Sequence, residues 1–191
     1  ILSVGRFFIG GHSKNHEIMV QAFAQMIQDG LVGWKLLLIG STGATGADRA
    51  YVSHLRSLAE GLPIQIETDV DVTRLHDAYR RASIYWHAAG HGQNEKRNPA
   101  SFEHFGIAPV EAMSAGAVPV VFDGGGVRET VENEKSGYLW TSDSQLQKIT
   151  WKLVRDAGLR NRNAIAAIRR SADFGPEKFK RRFLRIVEDL R

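Results

Sequence analysis

Short apolar runs recur along this chain, and amphipathic stretches separate them. Lys35-Leu-Leu-Leu-Ile39 stops at Gly40, and Val118–Phe122 stops just before Gly124-Gly125-Gly126. Such runs, apolar without alternation, read as strands buried on both faces. Ile1–Val4, Ile64–Thr68, Ile84–Ala88 and Gly137–Trp140 are read as further strands. Between them, Asn15–Asp29 carries Ile18, Met19, Ala22, Phe23, Met26 and Ile27 at helical spacing. Asp48–Glu60 and Val72–Ala82 are read as helices, and another helix starts near Pro109, a residue suited to a first helical position. From Asp143 onward the pattern is helical, with breaks near Gly158 and Gly175-Pro176. Strand–helix alternation of this kind predicts an α/β fold: a three-layer, Rossmann-like parallel sheet with helices on both faces. Ligands of such sheets bind beyond the carboxyl ends of the strands, so the loops after Val4, Gly40, Thr68, Ala88 and Phe122 form one surface of interest.

Bulk properties narrow the function classes. The 191 residues, 43% of them hydrophobic, suit one domain with a substantial core. No apolar run approaches the ~18 residues of a membrane-spanning helix. The chain has no cysteine, which excludes disulfides and thiolate metal sites. Its seven histidines show no metal-ligand spacing, and no metal is expected. A net charge of +4 is mild, and much of the excess lies in Arg160–Arg170 and Lys178–Arg191, read as exposed helix faces. No nucleic-acid motif accompanies them, so no nucleic-acid partner is expected. The sequence starts on Ile1 inside a run that reads as strand. It is taken as a single domain, 1–191, in an excised fragment.

Three constellations fall on the ligand edge. Arg6, leaving the first strand, and Lys14, at the mouth of the first helix, suit a diphosphate. Glu103-His-Phe-Gly-Ile-Ala-Pro-Val-Glu111 places two carboxylates around a glycine turn that feeds a helix, suiting the hydroxyls of a sugar or ribose. Phe122-Asp-Gly-Gly-Gly-Val-Arg-Glu129 is a second glycine turn, read as allowing close approach to a ligand. It does not fit a dinucleotide fingerprint, and the Arg6–Lys14 loop does not fit a P-loop. The long polar segment 90–105 is read as a loop without regular structure, either bordering a donor sugar or acceptor, or solvated and mobile.

Together these stretches resemble the group 1 family of retaining glycosyltransferases, specifically the C-terminal domain of its GT-B fold. The resemblance runs from Val4-Gly5-Arg6 to about Trp140. It is most specific over Glu103–Val120, which looks like the family's Glu-x(7)-Glu motif with the helix and strand that follow. The family implies a nucleoside-diphosphate sugar donor, with GDP, UDP and ADP all in use, and neither cofactor nor metal. It implies that Arg6 and Lys14 stabilise the diphosphate, that Glu103 reaches the donor sugar and that Glu111 holds the ribose. Backbone groups of Phe105, Gly106 and Ile107 meet phosphate or sugar oxygens, and Val70 lies by the base. Glu103, Arg6 and Lys14 are then the catalytic contributors. A glycan or lipid-linked acceptor is expected on an N-terminal domain that is absent here, so the isolated domain is expected to be inactive. A cytoplasmic setting follows, with peripheral membrane association of the full-length enzyme left open. The alternatives are a GT-B epimerase, a hydrolase using Glu103 and Glu111, and a non-catalytic nucleotide- or nucleic-acid-binding module. The C-terminal stripe Phe179, Phe183, Ile186, Val187 and Leu190 is expected to pack on this domain's own sheet or toward the missing one.

Overall fold

A computed structural model of the chain describes residues 1–189. Six strands, β1 (Leu2–Val4), β2 (Leu36–Gly40), β3 (Ile64–Thr68), β4 (Ile84–His87), β5 (Val118–Phe122) and β6 (Tyr138–Trp140), form one sheet in the order β3-β2-β1-β4-β5-β6. Every pairing is parallel. The connecting helices are α1 (His16–Gln28), α2 (Gly46–Leu58), α3 (Val72–Arg81), α4 (Ile107–Ser114) and the short α5 (Val127–Thr130). After β6 come α6 (Asp143–Arg155), α7 (Ala157–Ser171) and α8 (Pro176–Asp189).

The expected burial of the sheet on both faces is realised residue by residue. Leu36 and Leu38 of β2, Trp86 of β4, and Val118 and Val120 of β5 join one core with Met19 and Phe23 of α1, Leu55 of α2 and Leu146 of α6. The alternate residues Ile39 and Tyr85 pack on the other face against Ala78 and Tyr79 of α3 and Ala112 of α4. Val121 meets Met113 of α4, Val127 of α5 and Ala167 of α7 on that face too. Period-two side chains therefore feed two helical layers.

The helix starts fall into two groups. At the flanks, side chains cap them: Thr45 and Asp48 form a reciprocal capping box on α2, and Asp71, Ser142 and Asp156 accept N–H bonds on α3, α6 and α7. The helices that follow β1, β4 and β5, namely α1, α4 and α5, have no side-chain cap. The starts of α1 and α4, which follow the neighbouring strands β1 and β4, therefore lack side-chain acceptors beside the middle of the sheet.

Local expectations are sharpened or corrected at several points. Helix α4 begins at Ile107, so Pro109 is its third residue, where the missing N–H is still one of the orphan donors. The break before α7 falls at Asp156, whose carboxylate accepts from Leu159 N at 2.8 Å; Gly158 lies inside the first helical turn. The segment 90–105 contains a 3-10 turn at Pro99–Ser101 and is tied down at several points described below. Two arginines of the basic run 160–170 are structural. Arg160 lies over Trp34 and donates to Leu153 O, and Arg170 donates to the carbonyls of Glu129 and Thr130 at the end of α5. On α8, Phe179, Phe183 and Ile186 are 69%, 55% and 59% exposed, so the stripe does not pack on the sheet of this domain. Leu190 lies outside the described residues.

Candidate functional site

The strand order reverses direction at β1, which has β2 on one side and β4 on the other. The chain leaves β1 and β4 toward opposite sides, opening the crevice in which ligands of parallel sheets bind. Lys14 comes from the loop after β1 and Glu103 from the long loop after β4. They meet there, with Lys14 Nζ 2.6 Å from Glu103 Oε2 and both side chains largely buried (18% and 16% exposed). Two histidines complete the cluster. His12 Nε2 lies 3.0 Å from Lys14 Nζ, and His87, the last residue of β4, places Nε2 3.4 Å from Glu103 Oε2 without a well-formed hydrogen bond.

The charge states follow from these contacts. Contact with His87, then the hydrogen bond and charge of Lys14, hold the Glu103 carboxyl well below the usual carboxylate range, outweighing the burial that would raise it. Burial pushes the His87 imidazole down, so it is neutral. The cluster is thus an ammonium on a fixed carboxylate, beside two imidazoles.

Gly106 enters α4 at φ 88°, a left-handed conformation that glycine adopts without strain. Among the described residues the N–H groups of Phe105, Gly106 and Ile107 have no acceptor, which leaves them available as donors at the start of α4. Phe105 packs edge-on against Phe174, leaving it 44% exposed, and Ile107 is 67% exposed. One turn into α4, Glu111 Oε2 accepts from the Tyr79 hydroxyl of α3 at 2.8 Å. These two residues line a cavity of about 270 Å³ between α3 and α4, with Leu75, His76 and Ser114. Val70, at the start of the turn into α3, is half-buried against the same core face. A larger trough, about 820 Å³, lies between α1 and α2, lined by Ser13, Glu17, Gln21, His54 and Gln93.

Of the residues expected from sequence, Lys14, Glu103 and the α4 turn converge, and Glu111 with Val70 lies along the α3–α4 side. Arg6 makes no hydrogen bond or ion pair with this cluster among the described residues: it is exposed, with its guanidinium over the Phe8 ring at 5.7 Å. The second glycine turn has a different role from the one expected. Gly126 N donates to Glu103 O at 2.7 Å, and side chains at Gly125 or Gly126 would collide with the carbonyls of Glu103 and His104. The turn is therefore a bed for the Glu103 loop. Glu95 of the long loop accepts from Gly125 N at 2.9 Å and pairs with Arg128 at 2.8 Å, which in turn binds Asp123 at 2.6 Å. Asn15 Nδ2 donates to the carbonyls of Ala88 and His91.

Sequence reading missed His12, His87 and Tyr79 as parts of the site. His87 carried a signal, since it ends a buried strand on the ligand edge. His12 carried a weaker one, two residues before Lys14. Tyr79 carried none, because only the packing of α3 on α4 brings it to Glu111.

An all-parallel sheet with a crevice at its strand-order switch, a carboxylate clasped by a lysine and an uncapped helix start defines a doubly wound, Rossmann-like α/β domain. The match to the family described as Glycosyl transferases group 1 covers residues 1–170, and the chain belongs to that family. Among curated relatives it is 29% identical over 204 residues to the mouse GDP-Man:Man(3)GlcNAc(2)-PP-Dol alpha-1,2-mannosyltransferase, covering 100% of this chain and 38% of that protein. It is 32% identical over 188 residues to the Neurospora crassa enzyme of the same name, covering 92% and 31%. The chain thus spans about a third of the length of these relatives. Among solved structures, the C-terminal domain of a glycosyl transferase group 1 family protein from Francisella tularensis superposes with a TM-score of 0.69 at 22% identity, covering 90% of this chain and 83% of that one. Anabaena HepE in complex with UDP gives 0.74 at 21%, covering 98% and 48%. The fold is that of a GT-B C-terminal domain. No helix among the described residues is long and apolar enough to cross a membrane.

Proposed function

We propose that this chain is the donor-binding domain of a retaining glycosyltransferase, and that it binds a nucleoside-diphosphate sugar in the crevice between β1 and β4. The observation that carries the reading is the meeting of Lys14 with Glu103 at the strand-order switch, beside the uncapped start of α4. Transfer breaks the bond between the sugar's anomeric carbon and the diphosphate oxygen, and negative charge grows on that oxygen. Lys14, the N–H groups of Phe105, Gly106 and Ile107, and Arg6 once it swings from Phe8 supply fixed positive potential there without a metal. Glu103 accepts from sugar hydroxyls and Glu111 from the ribose pair, orienting the donor. The base lies toward Val70. The acceptor, its binding groups and any further proton acceptor belong to a second, N-terminal domain, so this domain alone turns nothing over. Retention is the property of the family.

The relatives named as GDP-mannose-dependent and lipid-linked make GDP-mannose the first donor to try and a lipid-linked oligosaccharide the first acceptor class. That acceptor would bring the complete enzyme to a membrane surface. The hydrolase alternative with Glu103 as its acid is disfavoured, because paired-carboxylate hydrolysis needs that carboxyl protonated. Glu103, held well below the usual carboxylate range, stays ionised and accepts hydrogen bonds only.

The test is amide shift mapping with GDP and GDP-mannose. The account expects the largest changes at residues 105–108, Lys14 and Glu111. Changes confined to the trough between α1 and α2 would put the ligand elsewhere and sink the reading.

A further inference from the structure

The loop after β1 holds a histidine whose tautomer the geometry determines. His12 Nδ1 lies 3.0 Å from the carbonyl oxygen of Ala100, in the long loop after β4. A carbonyl only accepts, so Nδ1 carries the proton. On the other side of the ring, Nε2 lies 3.0 Å from Lys14 Nζ. An ammonium only donates, so Nε2 presents its lone pair. Both bonds hold together only for a neutral imidazole protonated at Nδ1. The remaining neighbours agree with this: Glu103 Oε2 is 4.0 Å from Nε2, beyond a hydrogen bond, and the His104 ring meets His12 edge-on at 5.6 Å.

We propose that His12, in this tautomer, is a positioning residue for Lys14, fixing the ammonium where a nucleoside diphosphate meets it. The inference rests on the reading of Lys14 as a diphosphate ligand. An ammonium has three donors. One goes to Glu103 at 2.6 Å and one to His12, which leaves the third for a phosphate oxygen. The flexible four-carbon stem of a lysine does not fix that direction by itself. Glu103 alone would allow Lys14 to settle fully onto its carboxylate. A second carboxylate at position 12 would fix the direction but would neutralise the charge that attracts the diphosphate. A neutral lone pair does the first without the second. The bond from Nδ1 also ties the loop after β1 to the loop after β4, and it keeps the ring from turning over.

The two functions of the ring can be separated. His12→Gln extends an amide oxygen to the Nε2 position, keeping an acceptor for Lys14, and loses the Nδ1 donor. His12→Asn keeps a donor near Nδ1 for Ala100 and loses the acceptor. Calorimetric titration of both variants and the wild-type chain with GDP and with UDP, alongside their thermal unfolding midpoints, distinguishes them. The inference predicts that His12→Gln binds close to the wild type. His12→Asn should bind about tenfold more weakly, the scale of one hydrogen bond to a charged group, with an unfolding midpoint no lower than that of His12→Gln. The reverse order, or no change in either variant, overturns it. Long-range proton–nitrogen NMR of the ligand-free chain reads the tautomer directly: a protonated Nδ1 with a bare Nε2 is expected, and a proton on Nε2 contradicts the proposal. If the wild type binds neither nucleotide, the donor-site reading fails, and the NMR result still decides whether His12 holds Lys14.

Discussion

Gly126→Ala tests whether the second glycine turn serves as a bed for the Glu103 loop. A Cβ at position 126 would lie 2.6 Å from the His104 carbonyl carbon and 3.1 Å from Phe105 N, and it would overlap the His104 carbonyl oxygen. Ordinary carbon–carbon contact is about 3.5–4.0 Å, so the Glu103–Phe105 backbone must retreat by about 1 Å. Overpacking of this kind costs roughly 1–3 kcal/mol. The retreat also stretches the 2.7 Å bond from Gly126 N to Glu103 O, worth about 1 kcal/mol. The sum, about 2–4 kcal/mol, lowers the thermal midpoint of a chain this size by roughly 5–15 °C. Glu103 and the N–H groups after it move with the backbone. A displacement of about 1 Å in a binding constellation is costly, and nucleoside-diphosphate affinity should fall about tenfold or more. Thermal unfolding by circular dichroism and calorimetric titration read the two effects. Gly11→Ala is the control, since a Cβ there meets nothing within 4 Å. If Gly126→Ala matches Gly11→Ala in both assays, the turn does not support the Glu103 loop and the reasoning fails.

Tyr79→Phe removes the hydroxyl that holds Glu111 and should weaken nucleoside-diphosphate binding roughly three- to tenfold while moving stability by about 1 kcal/mol or less; an unchanged dissociation constant would remove Tyr79 from the site. Lys14→Met takes the ammonium from Glu103, so the Glu103 carboxyl, followed by carbon-13 NMR, should titrate at higher pH. Stability at neutral pH should drop by roughly 1–3 kcal/mol, because a depressed carboxylate stabilises the fold above its unfolded pKa and loses that contribution as pH falls. His16 is fully buried between Phe7 and Tyr51, with neither ring nitrogen in a well-formed hydrogen bond among the described residues, and burial pushes its imidazole down to about 3. Its unfolded value is near 6.5, so the unfolded chain binds the proton first and stability should decline as pH falls from about 6.5 toward 5, by up to ~1.4 kcal/mol per pH unit from this group. His87 acts in the same direction. Denaturant titrations of the wild type and His16→Leu should show a shallower decline in the variant, and parallel curves would refute the assignment.

The sheet was legible because a strand buried on both faces needs an unbroken apolar run, and Leu36–Ile39, Ile84–Trp86 and Val118–Phe122 provide one each. Its strand order was not, since that order depends on how the helical layers cover the sheet. The position of β1 between β2 and β4, which brings Lys14 to Glu103, emerges only in the fold. Motif residues on the α4 turn were readable from Gly106 and the flanking carboxylates. Their supports were not. Tyr79 reaches Glu111 across two helices, His12 reaches Lys14 through loop geometry, and Glu95 reaches Gly125 and Arg128 across 30 and 33 residues of sequence. The glycine turn after β5 illustrates the limit in another way: glycines signal close approach, and sequence does not say whether a ligand or another backbone does the approaching.

The central claim, a nucleoside-diphosphate site at the β1–β4 crevice of this domain, is tested most directly by calorimetric titration of the chain with GDP, UDP and ADP, with Glu111→Ala in parallel. The account predicts binding of at least one diphosphate, weakened in the variant while its circular dichroism is unchanged. A folded wild-type chain that binds none of the three, or a variant that binds as well as the wild type, contradicts it.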